Sequence, residues 1–259
     1  MSTKRWAVSH ASGFLTEMDK LRLDKFLSSQ NICSRKDAGK LVREKRVTVN
    51  GNAAPKSDIK IDPERDIIEV DGKTVAYMEH IYIMMNKPKG VLSASNDKNA
   101  PTVIDLLPET LKRRGLFPAG RLDKDTTGLL IITDDGDFAH KMLAPKSGVF
   151  KLYKAQLDKD LTDEGKASLE KGITLADGTA FRPAVVSFEN EGDRSSVFIK
   201  ITEGKFHEVK RMFAYCGCEV LELERKCIGE LALDGQLSVG EARLISEREL
   251  KMIFCSHNS

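Results

Sequence analysis

Gly120-Arg-Leu-Asp-Lys-Asp-Thr-Thr-Gly-Leu-Leu-Ile-Ile-Thr133 is the stretch on which the reading of this chain turns. It starts on a Pro118-Ala-Gly120 turn and ends against Asp134-Asp-Gly136. Its second half is a continuous apolar run between turn residues, the pattern of a strand buried on both faces. Its first half is polar, with a glycine at each end that lets the backbone fold tightly and approach a ligand. Arg121, Asp123 and Asp125 are spaced two apart, so an extended backbone would turn all three to one face of a cleft. An irregular backbone would not, and the spacing by itself favours a polar loop closed by Asx turns. A carboxylate beside a cation in a cleft stays ionised and serves as base or nucleophile.

On either side of this stretch the chain reads as strands and short helices without regular alternation. His80–Met85 is a β-prone run that stops at the turn Asn86-Lys-Pro-Lys-Gly90, and Pro101–Leu107 with Leu111 is short helical or irregular chain. Asp137 is placed to cap a helix through Phe138, Met142 and Leu143 that stops near Pro145. Phe150–Leu157 reads as a strand, Leu161–Leu169 as a helix, and Val186–Phe188 with Val197–Ile201 as paired strands. His207–Tyr215 is a helix with Val209, Met212 and Phe213 on one face, ending at Gly217. Val220–Leu223, Leu231–Leu233 and Ala242–Ile245 add short strands. The fold class is therefore α+β, and a doubly wound parallel sheet is not expected.

A different module precedes this body. Leu23, Phe26 and Leu27 mark an amphipathic helix starting at about Arg22. Ser34 followed by Asp37 is a capping-box variant in front of a second helix. That helix hides Ala38, Leu41 and Val42 and shows Arg35, Lys36, Lys40 and Arg43 on its other face. Val47-Thr-Val-Asn-Gly51 is a strand running into a hairpin turn. A second strand pair is expected at Ile59–Ile61 and Ile67–Val70, with Asp71-Gly72 as another tight turn. The whole chain nets +2, yet residues 19–60 carry eleven Lys and Arg against five Asp and Glu. A basic segment on a mildly acidic body suggests a polyanion partner.

Composition narrows the function classes. With 259 residues, 41% hydrophobic and 31% charged, the chain can bury a core without disulfides or metal. No run of apolar residues is long enough to span a membrane, and residues 1–17 lack the apolar core of a secretory leader. Five cysteines in a chain of this kind are expected to be reduced thiols in a cytoplasm. Cys216-Gly-Cys218 is too tightly spaced for a zinc site, and His10, His80, His140, His207 and His257 are scattered. Phosphate-loop, dinucleotide, zinc-protease and nucleophile-elbow signatures are absent. The expected chemistry runs on side chains alone, with no cofactor and no metal.

Two resemblances sharpen this. Arg22-Leu-Asp-Lys-Phe-Leu27, Ser34-Arg35 and Val47–Gly51 together resemble an S4 RNA-binding domain. Gly120–Leu130 with Thr133-Asp-Asp-Gly136 resembles the catalytic motif of pseudouridine synthases, closest to the small-subunit rRNA branch. Asn86–Gly90, Lys151-Leu-Tyr153, Glu203-Gly-Lys-Phe-His-Glu-Val-Lys-Arg-Met-Phe213, and Arg225 with Ile228-Gly229 agree in order. The resemblance implies an S4-like α/β module over 18–75 and a mixed, mostly antiparallel catalytic domain over 80–252. Residues 1–17 are left as an extension expected to be disordered. It makes Asp123 the essential aspartate, Tyr153 the ring against the target uracil, and Arg211 the cation paired with Asp123. Arg121 would lie beside the flipped nucleotide, Asp125 would shape the loop, and His207 would support. RNA contacts fall on Arg22, Arg35, Lys36, Lys40, Arg43, Lys87 and Lys210.

The implied reaction is isomerisation of uridine to pseudouridine in 16S rRNA, at a uridine-516-type site. The implied partner is the free rRNA or a small-subunit assembly particle, and the implied protein is a cytoplasmic monomer. Breaking N1–C1′, turning the base and joining C5 to C1′ involves no net oxidation, which agrees with the missing cofactor motifs. A large-subunit (23S) rRNA target and a non-catalytic S4-type RNA-binding or ribosome-assembly protein stand as alternatives. A glycosidase using Asp123 and Asp125 as its carboxylate pair is a third, weakened by a basic module that a neutral sugar does not need.

Overall fold

The computed structural model describes residues 20–190 and 192–255. The extension 1–17 lies outside the described residues. The chain divides into two units, 1–79 and 80–259.

The first unit runs β1 (Leu21–Arg22), α1 (Leu23–Ser29), α2 (Arg35–Arg43), β2 (Val47–Val49), β3 (Asn52–Ala53), β4 (Lys60–Ile61), β5 (Ile68–Val70) and β6 (Lys73–Thr74). Leu23, Phe26 and Leu27 of α1 pack with Ala38 and Val42 of α2 over Val47, Ile61 and Ile68. Ser34 caps α2, its Oγ accepting from the Asp37 amide at 3.1 Å. Asn50-Gly51 and Asp71-Gly72 take positive φ at both positions and close two-residue hairpins, β2 to β3 and β5 to β6. The four strands are ordered β3-β2-β5-β6. One expectation fails here. Residues 59–61 do not pair with 67–70; β4 pairs with β1, and β5 crosses to β2. The intervening Asp62–Asp66 loop folds on its own carboxylates, with the Asp62 amide donating to Asp66 and the Glu64 amide to Asp62. It redirects the chain instead of doubling it back.

The second unit contains β7 (Tyr82–Lys87), β8 (Phe117–Pro118), β9 (Thr127–Thr133), α3 (Gly136–Leu143), β10 (Lys151–Leu157) and α4 (Asp163–Lys171). It continues with β11 (Ile173–Thr174), β12 (Ala180–Phe181), β13 (Val185–Asn190), β14 (Asp193–Ile201), α5 (Glu208–Tyr215), β15 (Val220–Ile228), β16 (Leu231–Ala232), β17 (Ala242–Leu244) and α6 (Glu247–Ile253). The large sheet is ordered β13-β14-β10-β15-β9-β7-β17, with β8 beside β9 and β16 beside β15. A separate β11–β12 pair lies outside it.

Each face of this sheet is covered, which explains the unbroken apolar run of β9. Leu130 and Ile132 enter one core while Leu129 and Ile131 enter the other. The first core takes Ile83 and Met85 of β7, Tyr153 and Ala155 of β10, and Val209, Met212 and Phe213 of α5. The second takes Met84, Ala139 and Met142 of α3, and Ile253 of α6. Helix α3 is capped by Asp135, not Asp137: the Asp135 carboxylate accepts from the Phe138 amide at 2.9 Å and from the Tyr82 hydroxyl at 2.6 Å. Tyr82 on β7 thus selects the earlier of two acids. Helix α6 was not anticipated, although Ser246 and Glu249 form a full capping box at its start.

Among the described residues, β9 and β15 make the one parallel step in this sheet, with Gly128 opposite Arg225. Gly128 has φ +95°, and a Cβ there would lie 2.4 Å from the Arg225 carbonyl oxygen. Backbone meets backbone, so no side chain can yield. Gly128→Ala is expected to lower stability by more than ~2 kcal/mol in denaturant unfolding. Gly204→Ala, where a Cβ meets nothing within 4 Å, is the control that stays near wild type.

Candidate active site

The polar half of the diagnostic stretch is an irregular loop, not an extended segment. The Thr126 amide bonds the Asp123 carbonyl at 3.1 Å, turning the chain at Lys124-Asp125. Three inward contacts fix this loop. Ser93 Oγ donates to the Leu122 carbonyl at 2.9 Å and accepts from the Leu122 amide at 3.1 Å. The Gly90 amide donates to the Lys124 carbonyl at 2.8 Å. Lys87 Nζ reaches the carbonyls of Pro88, Asp123, Lys124 and Thr126 at 3.1, 3.1, 3.3 and 2.9 Å.

Lys87 is thereby removed from the set of RNA contacts. Its side chain is fully buried. Residues 83, 85 and 87 share a face of β7, and Ile83 and Met85 place that face in the core. Burial lowers the Lys87 pKa to about 8, opposed by the nearby Asp125 and Asp123 carboxylates.

The loop presents Asp123 to an open cleft of about 530 Å³ lined by Lys89, Gly90, Asp123, Lys124, Asp125, His207 and Lys210. The Asp123 carboxylate lies 3.4 Å from His207 Nε2 and 3.7 Å from Lys210 Nζ. Lys210 also holds both Asp125 oxygens at 2.6 Å, and this contact keeps the Asp125 carboxyl below its usual range. The cleft thus carries two carboxylates on one lysine, with a histidine on the inner one.

The expected Asp123–Arg211 pair is not formed. Arg211 Nη2 bonds Asp177 at 2.5 Å and Thr179 Oγ1 at 3.3 Å, and its guanidinium lies 5.4 Å from the Phe181 ring centre. Consecutive helical positions diverge by roughly 100°. Because Val209, Met212 and Phe213 of α5 face the core, Lys210 flanks the cleft and Arg211 turns to the β11–β12 side. The motif supplied the helix, but helix rotation decides which of two adjacent cations serves the aspartate.

Tyr153 is buried on β10, directly beside Arg225 of β15, which itself pairs with Gly128 at the end of the Asp123 loop. Three adjacent strands therefore set Gly128, Arg225 and Tyr153 in one row. Arg225 is 4% exposed. It donates from Nε to the Leu129 carbonyl at 2.8 Å and lies 3.4 Å from the Tyr153 hydroxyl through Nη1. Its Nη2 and Thr126 Oγ1 have no hydrogen-bond partner among the described residues. Arg225 was visible in the sequence only as part of a matching block; a cation amid the β15 run was the signal for an internal role. Arg121 is exposed at the start of the loop. Arg22 is exposed and bidentate to the buried Asp24 at 3.1 and 2.9 Å. Arg35, Lys36, Lys40 and Arg43 are all exposed on α2.

A carboxylate kept beside a lysine and a histidine, on a loop bonded from behind, can act as nucleophile or base without reorganising. The described residues hold no cluster of three or more metal-ligating side chains.

Comparison with known proteins agrees with both units. Residues 81–215 match the RNA pseudouridylate synthase family and residues 21–67 match the S4 domain. The chain is 41% identical to the uncharacterized RNA pseudouridine synthase YtzG of Bacillus subtilis, covering 90% of this chain and 98% of that one. It is 37% identical to the ribosomal small subunit pseudouridine synthase A of Escherichia coli K12, covering 90% and 100%. A crystal structure of a pseudouridylate synthase superposes with a TM-score of 0.62 at 34% identity, over 90% of this chain and 99% of that one. With an S4 fold in front, a matching synthase sheet behind it and relatives aligned over nearly their whole length, the chain belongs to the RNA pseudouridylate synthase family.

Proposed function

We propose that this enzyme converts one uridine of small-subunit (16S) ribosomal RNA to pseudouridine, at the uridine-516-type site, with Asp123 acting on the flipped nucleotide. The observation that carries the catalytic part is the Asp123 carboxylate between His207 and Lys210, on a loop pinned by Lys87 and Ser93. The flipped base must find an aromatic face, and that role is assigned to Tyr153, buried beside Arg225 in the row that ends at Gly128. Asp123 serves as nucleophile or base at the ribose while N1–C1′ breaks. The base turns, C5 joins C1′, and the proton displaced from C5 is balanced by one gained at N1. Asp123 and Asp125 share Lys210 on one side of the cleft, which does not suit a pair of carboxylates flanking a glycosidic bond.

The small-subunit target is supported by the length and identity of the match to the Escherichia coli enzyme. We assign the enzyme to the cytoplasm as a monomer. No helix among the described residues is long and apolar enough to cross a membrane. Pseudouridine mapping of both rRNAs by carbodiimide primer extension after deletion of the gene tests the assignment. Loss of a single 16S site is expected. Loss confined to 23S would move the target to the large subunit, and an unchanged pattern would overturn an rRNA substrate.

Docking is assigned to α2. Arg35→Ala, Lys36→Ala and Lys40→Ala together are expected to flatten the dependence of log affinity on log salt by roughly 2, the slope of about three phosphate contacts on single-stranded or folded RNA. Filter binding across salt concentrations measures it. Asp123 chemistry at saturating RNA should be retained, and an unchanged slope would place the docking surface elsewhere.

A further inference from the structure

We propose that Phe206 is a stacking platform for an unpaired nucleobase adjoining the target nucleotide, which rests on the reading of the cleft as an RNA site. Phe206 is 75% exposed, the highest value for a large apolar side chain among the described residues. It is not a loose ring. Its centroid lies 3.8 Å from that of His207 with 20° between the planes, a parallel stack. His207 is held in turn: φ is +48°, its carbonyl accepts from the Arg211 amide at 2.9 Å, and its Nε2 is 3.4 Å from Asp123. The left-handed backbone at a non-glycine residue costs energy that the surroundings must supply. Here it sets two successive aromatic rings face to face at the rim of the cleft.

The outer face of Phe206 is therefore one ring beyond the cleft wall, parallel to it. A flat apolar surface of that size, open to water, matches a nucleobase. Its neighbours favour RNA over a protein partner: Lys124 lines the adjoining cleft beside Lys89 and Lys210, whose exposed partners Glu222 and Asp125 a phosphate backbone can displace. Stacking is tolerant of base identity, so the platform holds the strand while the cleft handles the target.

A single-tryptophan protein tests this. Trp6, the one tryptophan of the chain, is changed by Trp6→Phe, and Phe206→Trp places the reporter. Decauridylate is expected to quench its emission, and a decamer of the same ribose-phosphate backbone without bases is not. Equal quenching by both, or none by either, overturns the platform. In turnover of a 16S rRNA transcript, Phe206→Ala is expected to raise KM about tenfold with a smaller effect on kcat, and Phe206→Tyr to restore KM. An unchanged KM in Phe206→Ala overturns it as well. Absence of pseudouridine formation by the wild-type enzyme would strike the catalytic reading, whereas the quenching comparison decides the platform by itself.

Discussion

Asp123→Asn is expected to reduce pseudouridine formation at least a thousandfold, about 4 kcal/mol of transition-state stabilisation, while leaving fold and RNA affinity nearly intact. The substitution keeps size and hydrogen-bonding atoms and removes the charge. Lys210 is not left as an uncompensated cation, because Asp125 holds it at 2.6 Å with both oxygens. The Asp123 side chain is partly open to solvent, so the neutral amide meets no large desolvation change. Thermal unfolding should therefore move little. RNA affinity should stay within about twofold, since the phosphate contacts are assigned to exposed cations of α2 and not to Asp123. Asp125→Asn is the informative partner: its carboxylate braces Lys210 from the outer side, and its loss is expected to cost about tenfold or less. Single-turnover release of tritium from C5-labelled uridine measures both. Turnover of Asp123→Asn within tenfold of wild type would remove this carboxylate from the chemistry.

That ranking of Asp123 over Asp125 could not be read from spacing. What the sequence displayed was local. The two hairpin turns at Asn50-Gly51 and Asp71-Gly72, the Ser34 cap, and the strand at Leu129 depend on residues close together in the chain. The apolar run of β9 even announced that both faces would be covered. What it concealed was set by distant chain. The β4–β1 pairing joins segments about forty residues apart, and the cap of α3 was chosen by Tyr82 from β7. At the site, Gly120–Gly128 and its carboxylate were legible because nine neighbouring residues carry them. The cation on Asp123 was not, because Lys210 and Arg211 differ only in helix rotation, and the packing of Val209, Met212 and Phe213 fixes that rotation. Those three apolar positions were in view, so the sequence held the information to prefer Lys210. Lys87 was harder: a lysine in a turn motif beside glycine and proline reads as surface, and only the parity of β7 sends it inward.

Lys87→Met carries the second large effect, and it separates a buried support from a surface RNA contact. Methionine is unbranched and one atom shorter than lysine, so it fills most of the same space and the packing of β7 survives. The carbonyls of Asp123, Lys124 and Thr126 lose their common donor. An ammonium has three protons for the four oxygens around Lys87, so the contacts are shared among them. The Asp123 and Lys124 carbonyls keep the Thr126 and Gly90 amides, so the chief loss is the donor to the buried Thr126 carbonyl, expected to cost about 2 kcal/mol in denaturant unfolding. The loop would shift by a fraction of an ångström to reach water, and a displacement on that scale is expected to lower kcat about a hundredfold. The pH dependence identifies the charge as the cause. Burial lowers the Lys87 pKa from its ordinary 10.5 to about 8, so the folded protein releases this proton before the unfolded chain does. Between those values the unfolded chain holds more protons, and this group makes stability rise with pH. Its grip on the loop weakens over the same range, because the neutral amine has one donor fewer and no charge. Wild-type kcat should therefore fall through pH about 8 without a fall in the denaturation midpoint from this group. Lys87→Met should lack that alkaline limb, and a Lys87→Met enzyme with wild-type kcat would show that the ammonium only fills space.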